Sequence, residues 1–177
     1  EKRTGNEKIF EMPTKCPVCG ADTIREDGEA AIRCIGIECP AKQYRNILHF
    51  ASREAMNIKG LGDSIIEELL ARDLISNIAD IYNLKLEDIA SLKQNGKKFA
   101  QNLIDSINES KNNEFYRVLN GLGIRHIGVK AAKGLAKKYK NIDNLINATL
   151  EDLKETDDVG EIMAESVYNF FAQEQTV

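Results

Sequence analysis

The sequence predicts a mainly α-helical protein, in which a small cysteine-rich module precedes an all-α domain of four repeated helical units. Three observations predict this architecture. Glycines recur 34, 32 and 32 residues apart at the start of predicted helices, and all four cysteines lie within residues 16–39. Apolar residues elsewhere follow helical spacing, so strands are expected only as short pieces within the cysteine-rich module.

The four cysteines have the spacing C-x2-C, fourteen residues, C-x4-C, and they are Cys16, Cys19, Cys34 and Cys39. Two thiolate pairs at this spacing predict a structural zinc site, and four thiolates leave no open position for catalysis. Two alternatives are disulfides, which no export signal supports, and a C-x-x-C redox pair, which leaves the second pair unexplained. Gly20 and Gly36 would ease the tight turns, and the site does not require His49.

The repeated unit is a short turn that ends in a glycine and leads directly into a helix. The glycines are Gly62, Gly96, Gly128 and Gly160, and the turns before them are called hairpins one to four. The residues four positions later, which would let two helices pack closely, are Ile66, Ala100, Ala132 and Ala164. A helical solenoid has a similar period and stays an alternative, but such short turns favour helix-hairpin-helix motifs.

Helical spacing and capping residues predict the individual helices in order. Residues 41–56 place Tyr44, Ile47 and Leu48 on one face, and Asp63 with Ser64 favours a helix start. The predicted helices span 41–56, 63–73, 78–82, 86–91, 97–109, 115–120, a basic helix from hairpin three to 139, 142–147, 150–155 and 161–171. The predicted domains are a linker or the tail of a preceding domain at 1–15, a zinc finger at 16–40, and hairpin pairs at 41–110 and 111–177.

Hairpin three carries the clearest functional signal. A glycine at position 128 allows another molecule to approach the backbone closely and allows a positive φ. The first amide groups of the helix lack partners within it, and the helix dipole adds partial positive charge. We therefore expect an anion site here, with phosphate as its occupant.

Charge is distributed unevenly, although the net charge is only −4. Residues 111–140 carry a net charge of +7, whereas residues 141–177 carry −8. Most charge runs are solvated helix faces, but this basic run coincides with hairpin three and so favours nucleic-acid binding. The absence of tryptophan argues against stacking on single strands as the main activity. No run of about 20 apolar residues predicts a membrane span.

Three strings identify a family: KCPVCG, CIGIECPAK and HFASREAMNIKGLGDSIIEELL. They resemble the carboxyl-terminal half of bacterial NAD-dependent DNA ligases, and the resemblance covers nearly the whole chain. It implies a small four-cysteine zinc finger followed by an all-α domain of four helix-hairpin-helix motifs on nicked duplex DNA. It also implies the partner domains of the parent enzyme (adenylation, OB-fold and BRCT), its NAD and magnesium, and a role in replication and repair in the bacterial cytoplasm, at the nucleoid.

The chain departs from that family in lacking a K-x-D-G lysine, and it opens with Glu1 rather than Met. We therefore expect a fragment that has no catalytic residue, does not adenylate itself and does not bind NAD. The expected DNA-binding residues are Lys59, Gly60, Gly62, Gly96, Lys97, Lys98, Arg125, His126, Gly128, Lys130 and Lys133.

The charges predict that hairpins two and three carry most of the binding, whereas the acidic hairpin four is mainly structural or faces the protein. The resemblance implies contacts spread over more hairpins, so the two weightings differ. Binding should not depend on base sequence, because phosphates rather than bases are the expected targets. Two rival functions stay open: another repair protein with the same hairpins, and a zinc-bearing adaptor that binds protein.

Overall fold

The structure is a computed structural model that describes residues 12–25, 28, 30–36, 39–92 and 96–172. The chain divides into two compact units, Glu1–Gln43 and Tyr44–Val177. The predicted fold class is confirmed, since the regular elements described after a small cysteine-containing module are all helices. None of the described helices has the length and apolar character needed to cross a membrane. Residues 1–11 of the predicted linker and residues 93–95 of hairpin two lie outside the described residues.

The first unit contains a two-stranded antiparallel sheet. Strand β1 spans Thr23–Arg25 and strand β2 spans Ile32–Cys34, with Thr23 opposite Cys34. An isolated bridge between Lys15 and Asp22 extends the pairing towards the first cysteine pair. The sheet therefore brings the second cysteine pair beside the first.

The helices of the chain follow the order predicted from the sequence. They are α1 (Pro40–Ala51), α2 (Asp63–Ala71), a 3-10 helix (Asp80–Asn83), α3 (Leu86–Ala90), α4 (Lys97–Ser110), α5 (Phe115–Gly121), α6 (Val129–Tyr139), α7 (Ile142–Ile146), α8 (Leu150–Lys154) and α9 (Glu161–Phe171). Within each of hairpins two, three and four the flanking helices pack directly on each other: α3 on α4, α5 on α6, and α8 on α9.

Helix α1 ends at Ala51, five residues earlier than predicted, whereas the other helix ends lie within two residues of the prediction. Residues 52–57 form a tight turn instead, because Met56 N–H donates to the Phe50 carbonyl and Ile58 N–H to the Ala51 carbonyl, both at 3.0 Å. Asn57 takes a left-handed φ of +52°, which a continuing helix does not allow. Apolar spacing continues through this turn and so conceals the helix end.

Two hydrophobic clusters stabilise the helical unit. One gathers buried residues between Ile47 and Ile107, and the other gathers buried residues between Leu119 and Phe171. The residues expected to pack one turn after each hairpin glycine are fully buried: Ile66, Ala100, Ala132 and Ala164. The predicted repeat is therefore confirmed as a packing repeat.

Partly buried polar contacts join the parts of the unit that carry the two clusters. Asn120 is only 4% exposed, and its side-chain amide donates to the Glu54 carbonyl at 3.2 Å. His49 donates from Nε2 to the Asn120 carbonyl at 2.7 Å, and Asn113 donates to the Met56 carbonyl at 2.8 Å. These hydrogen bonds connect the polar segment around Asn113 to the turn after α1, and they give His49 a partner within the protein.

Candidate metal centre and nucleic-acid interface

The four cysteines converge on one point. Their sulfur atoms all lie within 4.8 Å of one another, with Cys16 and Cys39 at 4.0 Å and Cys19 and Cys34 at 3.5 Å. These distances are far too long for disulfide bonds, and all four cysteines are free. Zinc at about 2.3 Å from each of four tetrahedral sulfurs places the sulfurs about 3.8 Å apart, so this cluster fits structural zinc.

Backbone groups prepare the cluster for a cation. The N–H groups of Cys19 and Val18 point at the Cys16 sulfur and lower its pKa to about 6. The Ala21 N–H acts in the same direction on Cys19, but the hydrogen bond with Cys34, burial and the remaining thiols outweigh it and raise the pKa of Cys19 to about 12. A divalent cation would compensate the negative charge that four thiolates place at one point.

Gly36 is required by the close approach of the sulfur atoms. A Cβ at this position would lie 2.9 Å from the Ala21 Cβ, 3.1 Å from the Cys19 sulfur and 3.3 Å from the Cys34 sulfur. The Gly36 N–H also donates to the Cys34 sulfur at 3.2 Å. Glycine is favoured at position 20 for a different reason, because the backbone there has a left-handed φ of +73°. The sequence indicated tight turns at both positions, but only the structure shows the packing against sulfur.

Hairpins one, three and four share one backbone geometry. The residue two positions before each corner glycine has a left-handed φ, and these residues are Gly60 (+92°), His126 (+63°) and Asp158 (+63°). The corner glycines are exposed helix N-caps with extended φ values: Gly62 (−101°), Gly128 (−98°) and Gly160 (−80°). The positive φ that the turn of hairpin three was expected to allow lies at His126, whereas Gly128 is extended.

The fold itself does not require glycine at these three corners. Any residue adopts an extended backbone, and a Cβ built at Gly62, Gly128 or Gly160 meets no atom within 4 Å. The missing side chain therefore leaves open space in front of the first amide groups of α2, α6 and α9. Glycine at these corners leaves room for another molecule to approach those amides.

Hairpin two differs from the other three. Gly96 is buried and helical, with φ −70° and ψ −3°, so it does not form the same open corner. Lys97 and Lys98 follow it at the exposed start of α4. The charge of this hairpin is accessible as expected, whereas its backbone lacks the extended N-cap found in the others.

The cations of hairpin three have partners within the protein. Lys130 lies 2.6 Å from an Asp158 carboxylate oxygen, and this contact raises the pKa of Lys130. The ammonium group of Lys133 lies over the Tyr116 ring, 5.0 Å from its centroid. His126 is exposed at the turn, and Arg125 is half-buried beside it. An acidic residue of hairpin four thus competes for a cation of hairpin three.

In hairpin one the backbone is fixed from α4. The Lys59 N–H donates to the buried Ser106 hydroxyl at 2.7 Å, while the Lys59 side chain stays exposed next to Gly60. This bond holds the turn before Gly62 in one conformation. The expected residues of hairpin one therefore lie together on one exposed corner.

Two arginines near hairpin three were missed by the sequence reasoning. Arg53 and Arg117 line an open depression of about 550 Å³ together with Glu54, Tyr116 and Val129, the first residue of α6. Arg117 donates to the Arg53 carbonyl at 2.6 Å. Arg117 belongs to the basic segment and could have been found there, but Arg53 reaches this place only through the turn after α1.

Three family models match consecutive parts of the chain. The model described as NAD-dependent DNA ligase C4 zinc finger domain matches residues 15–41. A SAM-like helix-hairpin-helix tandem matches residues 52–109, and a helix-hairpin-helix motif matches residues 117–177. The order of the models agrees with the order of the finger and the hairpins along the chain.

Curated relatives are identical to this chain at about half of its positions. A protein named DNA ligase from Clostridioides difficile is 52% identical over 177 residues, which is 100% of this chain and 26% of that protein. Proteins of the same name from Caldicellulosiruptor saccharolyticus and Acetivibrio thermocellus are 54% and 53% identical, over 99% of this chain and 26% and 27% of theirs. The chain thus spans about a quarter of the length of these relatives.

Proposed function

Because this chain belongs to the bacterial NAD-dependent DNA ligases, as a segment with their C4 zinc finger and helix-hairpin-helix region, we propose that it binds duplex DNA beside a nick. The parent enzyme would seal that nick in replication and repair. The segment would bind DNA rather than catalyse ligation, since it contains no lysine in a K-x-D-G context. Adenylation from NAD with magnesium would belong to the rest of the enzyme.

One observation carries this proposal: the open corners at Gly62, Gly128 and Gly160. Each presents the first amide groups of a helix of nine or eleven residues next to clear space. Backbone amides and a helix dipole bind a phosphate without reading a base. Three such corners on one unit support binding to a regularly charged backbone, independently of sequence.

Side chains near the corners add the electrostatic part. Lys59, Arg125 and Lys133 surround hairpins one and three, while Lys97 and Lys98 extend the charge to hairpin two. Neutralising phosphates releases counterions, so binding should weaken steeply with salt. Adenylation, OB-fold and BRCT domains are the proposed partners within the enzyme, and nucleoid DNA in the bacterial cytoplasm is the proposed location.

Replacing Arg125, Lys130 and Lys133 together with alanine is expected to weaken duplex binding. Each lost phosphate contact lowers the slope of log affinity against log salt by about 0.9, so the slope should fall by up to about 2.7. The measurement is a titration of nicked and intact duplex at several salt concentrations. An unchanged slope contradicts the assignment of these three residues.

The matched control is alanine at Lys137, Lys138 and Lys140, which removes the same charge from the far end of α6. This variant should keep most of the slope, because its cations lie a full helix length from the corner. An equal fall of the slope in both variants would indicate that the basic patch as a whole attracts the duplex. No salt-dependent affinity in the unmodified chain would refute the proposed function and favour a protein-binding adaptor.

Substituting Asp158 by asparagine is expected to strengthen duplex binding by up to about fivefold, the range of an exposed ion pair. The change frees Lys130 from its 2.6 Å contact and removes a negative charge near the phosphate. Asparagine tolerates the left-handed φ of +63°, so the turn should persist. Affinity measured in parallel for Asp143→Asn, an exposed acid in α7, controls for net charge.

A further inference from the structure

Two of the open corners are followed directly by an acidic residue. Asp63 is the first residue of α2 after Gly62, and Glu161 is the first residue of α9 after Gly160. A carboxylate is attracted to the free amides at a helix start, where it would repel or displace a phosphate. The sequence therefore makes hairpins one and four unsuitable for phosphate, unless something restrains these acids.

Each of the two carboxylates is held by a donor from the preceding helix. The Tyr44 hydroxyl in α1 donates to Asp63 at 2.7 Å, and the Lys154 ammonium at the end of α8 donates to Glu161 at 2.6 Å. Within the described part of the chain, neither carboxylate accepts a hydrogen bond from an amide of its own helix. The contact with Asp63 raises the pKa of Tyr44 to about 12, so the phenol keeps its proton.

We propose that Tyr44 and Lys154 are positioning residues that hold Asp63 and Glu161 off the corner amides, so that hairpins one and four accept backbone phosphates of duplex DNA. The inference rests on the proposed function, because the bound phosphates belong to the same duplex DNA. Hairpin three has Val129 at the equivalent position and needs no such restraint. The acidic residue directly after Gly160 is then compatible with phosphate binding.

The Tyr44→Phe substitution tests the first contact without changing any charge. It removes the hydroxyl that holds Asp63 and keeps the ring that packs against the first hydrophobic cluster. Duplex affinity of the full chain with its zinc should fall roughly two- to fivefold, the size of a charge effect at a helix start. Urea denaturation of the same sample should show that the variant is folded before denaturant is added.

A double-mutant cycle separates positioning from direct contact. In the Asp63→Asn background the Tyr44→Phe change should leave duplex affinity unaltered, because no carboxylate remains to be restrained. If Tyr44 instead touched phosphate itself, Tyr44→Phe would weaken binding equally in both backgrounds. That outcome, or no effect of Tyr44→Phe alone, overturns the inference for hairpin one.

Hairpin four offers an independent cycle. Lys154→Met should weaken duplex binding, and adding Glu161→Gln should restore it, since the double variant has the same net charge as the original chain. Failure of Glu161→Gln to restore affinity would mean that Lys154 binds phosphate directly. The two cycles use different residue pairs. If both give the expected change in duplex affinity, the effect is not a peculiarity of one hairpin.

A measurement without DNA distinguishes failure of this inference from failure of the proposed function. In the Tyr44→Phe variant the amide resonances of Ser64 and Ile65 should move from their positions in the original chain, because the Asp63 carboxylate then turns towards these amides. If the original chain binds no duplex, the proposed function fails whatever these resonances show. If duplex binds and these resonances do not move in the variant, the inference alone is wrong.

Discussion

Chelating the metal is expected to unfold the described part of the first unit while the helical unit stays folded. In that part of Glu1–Gln43, the buried hydrophobic residues are Cys16 and Cys39, which are ligands rather than a core. Zinc binding in comparable fingers supplies roughly 10–16 kcal/mol of apparent free energy, more than so small a module gains otherwise. The helical unit retains two hydrophobic clusters that contain none of the four cysteines.

Zinc content by atomic absorption and amide resonances of residues 12–36 measure this outcome together. The resonances should collapse to unfolded positions as zinc leaves, whereas far-ultraviolet circular dichroism should change little. Cys16→Ser should lose most of the metal in the same way. Val18→Ser is the matched control, because Val18 lies between two ligands, is 57% exposed and offers no thiolate. Native resonances after complete removal of zinc would refute a metal-dependent fold.

Local patterns were sufficient to predict the zinc site and the helical repeat. Cysteine spacing specifies ligands directly, and Ile66, Ala100, Ala132 and Ala164 all occupy the buried positions that the repeat assigned. The premature end of α1 was missed, because Asn57 breaks the helix through its backbone while apolar spacing continues. The pattern of apolar and polar residues predicts which face of a helix is buried better than it predicts where a turn begins.

The weighting of the hairpins could not be predicted from charge along the chain. Lys130 and Asp158 are 28 residues apart in sequence, yet their side chains meet at 2.6 Å. Gly96 has the same spacing as the other corner glycines but is buried and helical. Charge along the chain contains neither of these features, so the weighting of the hairpins and the DNA-binding residues stay predictions until binding is measured.

The same substitution at two glycines of hairpin three should separate folding from binding. Gly134 lies within α6, and a Cβ there would come 2.4 Å from the carbonyl oxygen of Asp157 in hairpin four. Gly134→Thr should therefore lower the free energy of unfolding by roughly 1–3 kcal/mol, since backbone cannot move aside cheaply. Urea denaturation of the zinc-loaded chain measures this loss.

Gly128→Thr should have the opposite profile. Threonine equals glycine as a helix N-cap, the backbone is extended at φ −98°, and no atom lies within 4 Å of the new Cβ. Stability should hold, but duplex affinity should fall about tenfold, because hydrogen bonds to a charged group contribute roughly 1.5–3 kcal/mol. Unchanged affinity in a stable Gly128→Thr variant would mean that the open corner is not the phosphate site, since nothing within the protein requires glycine there.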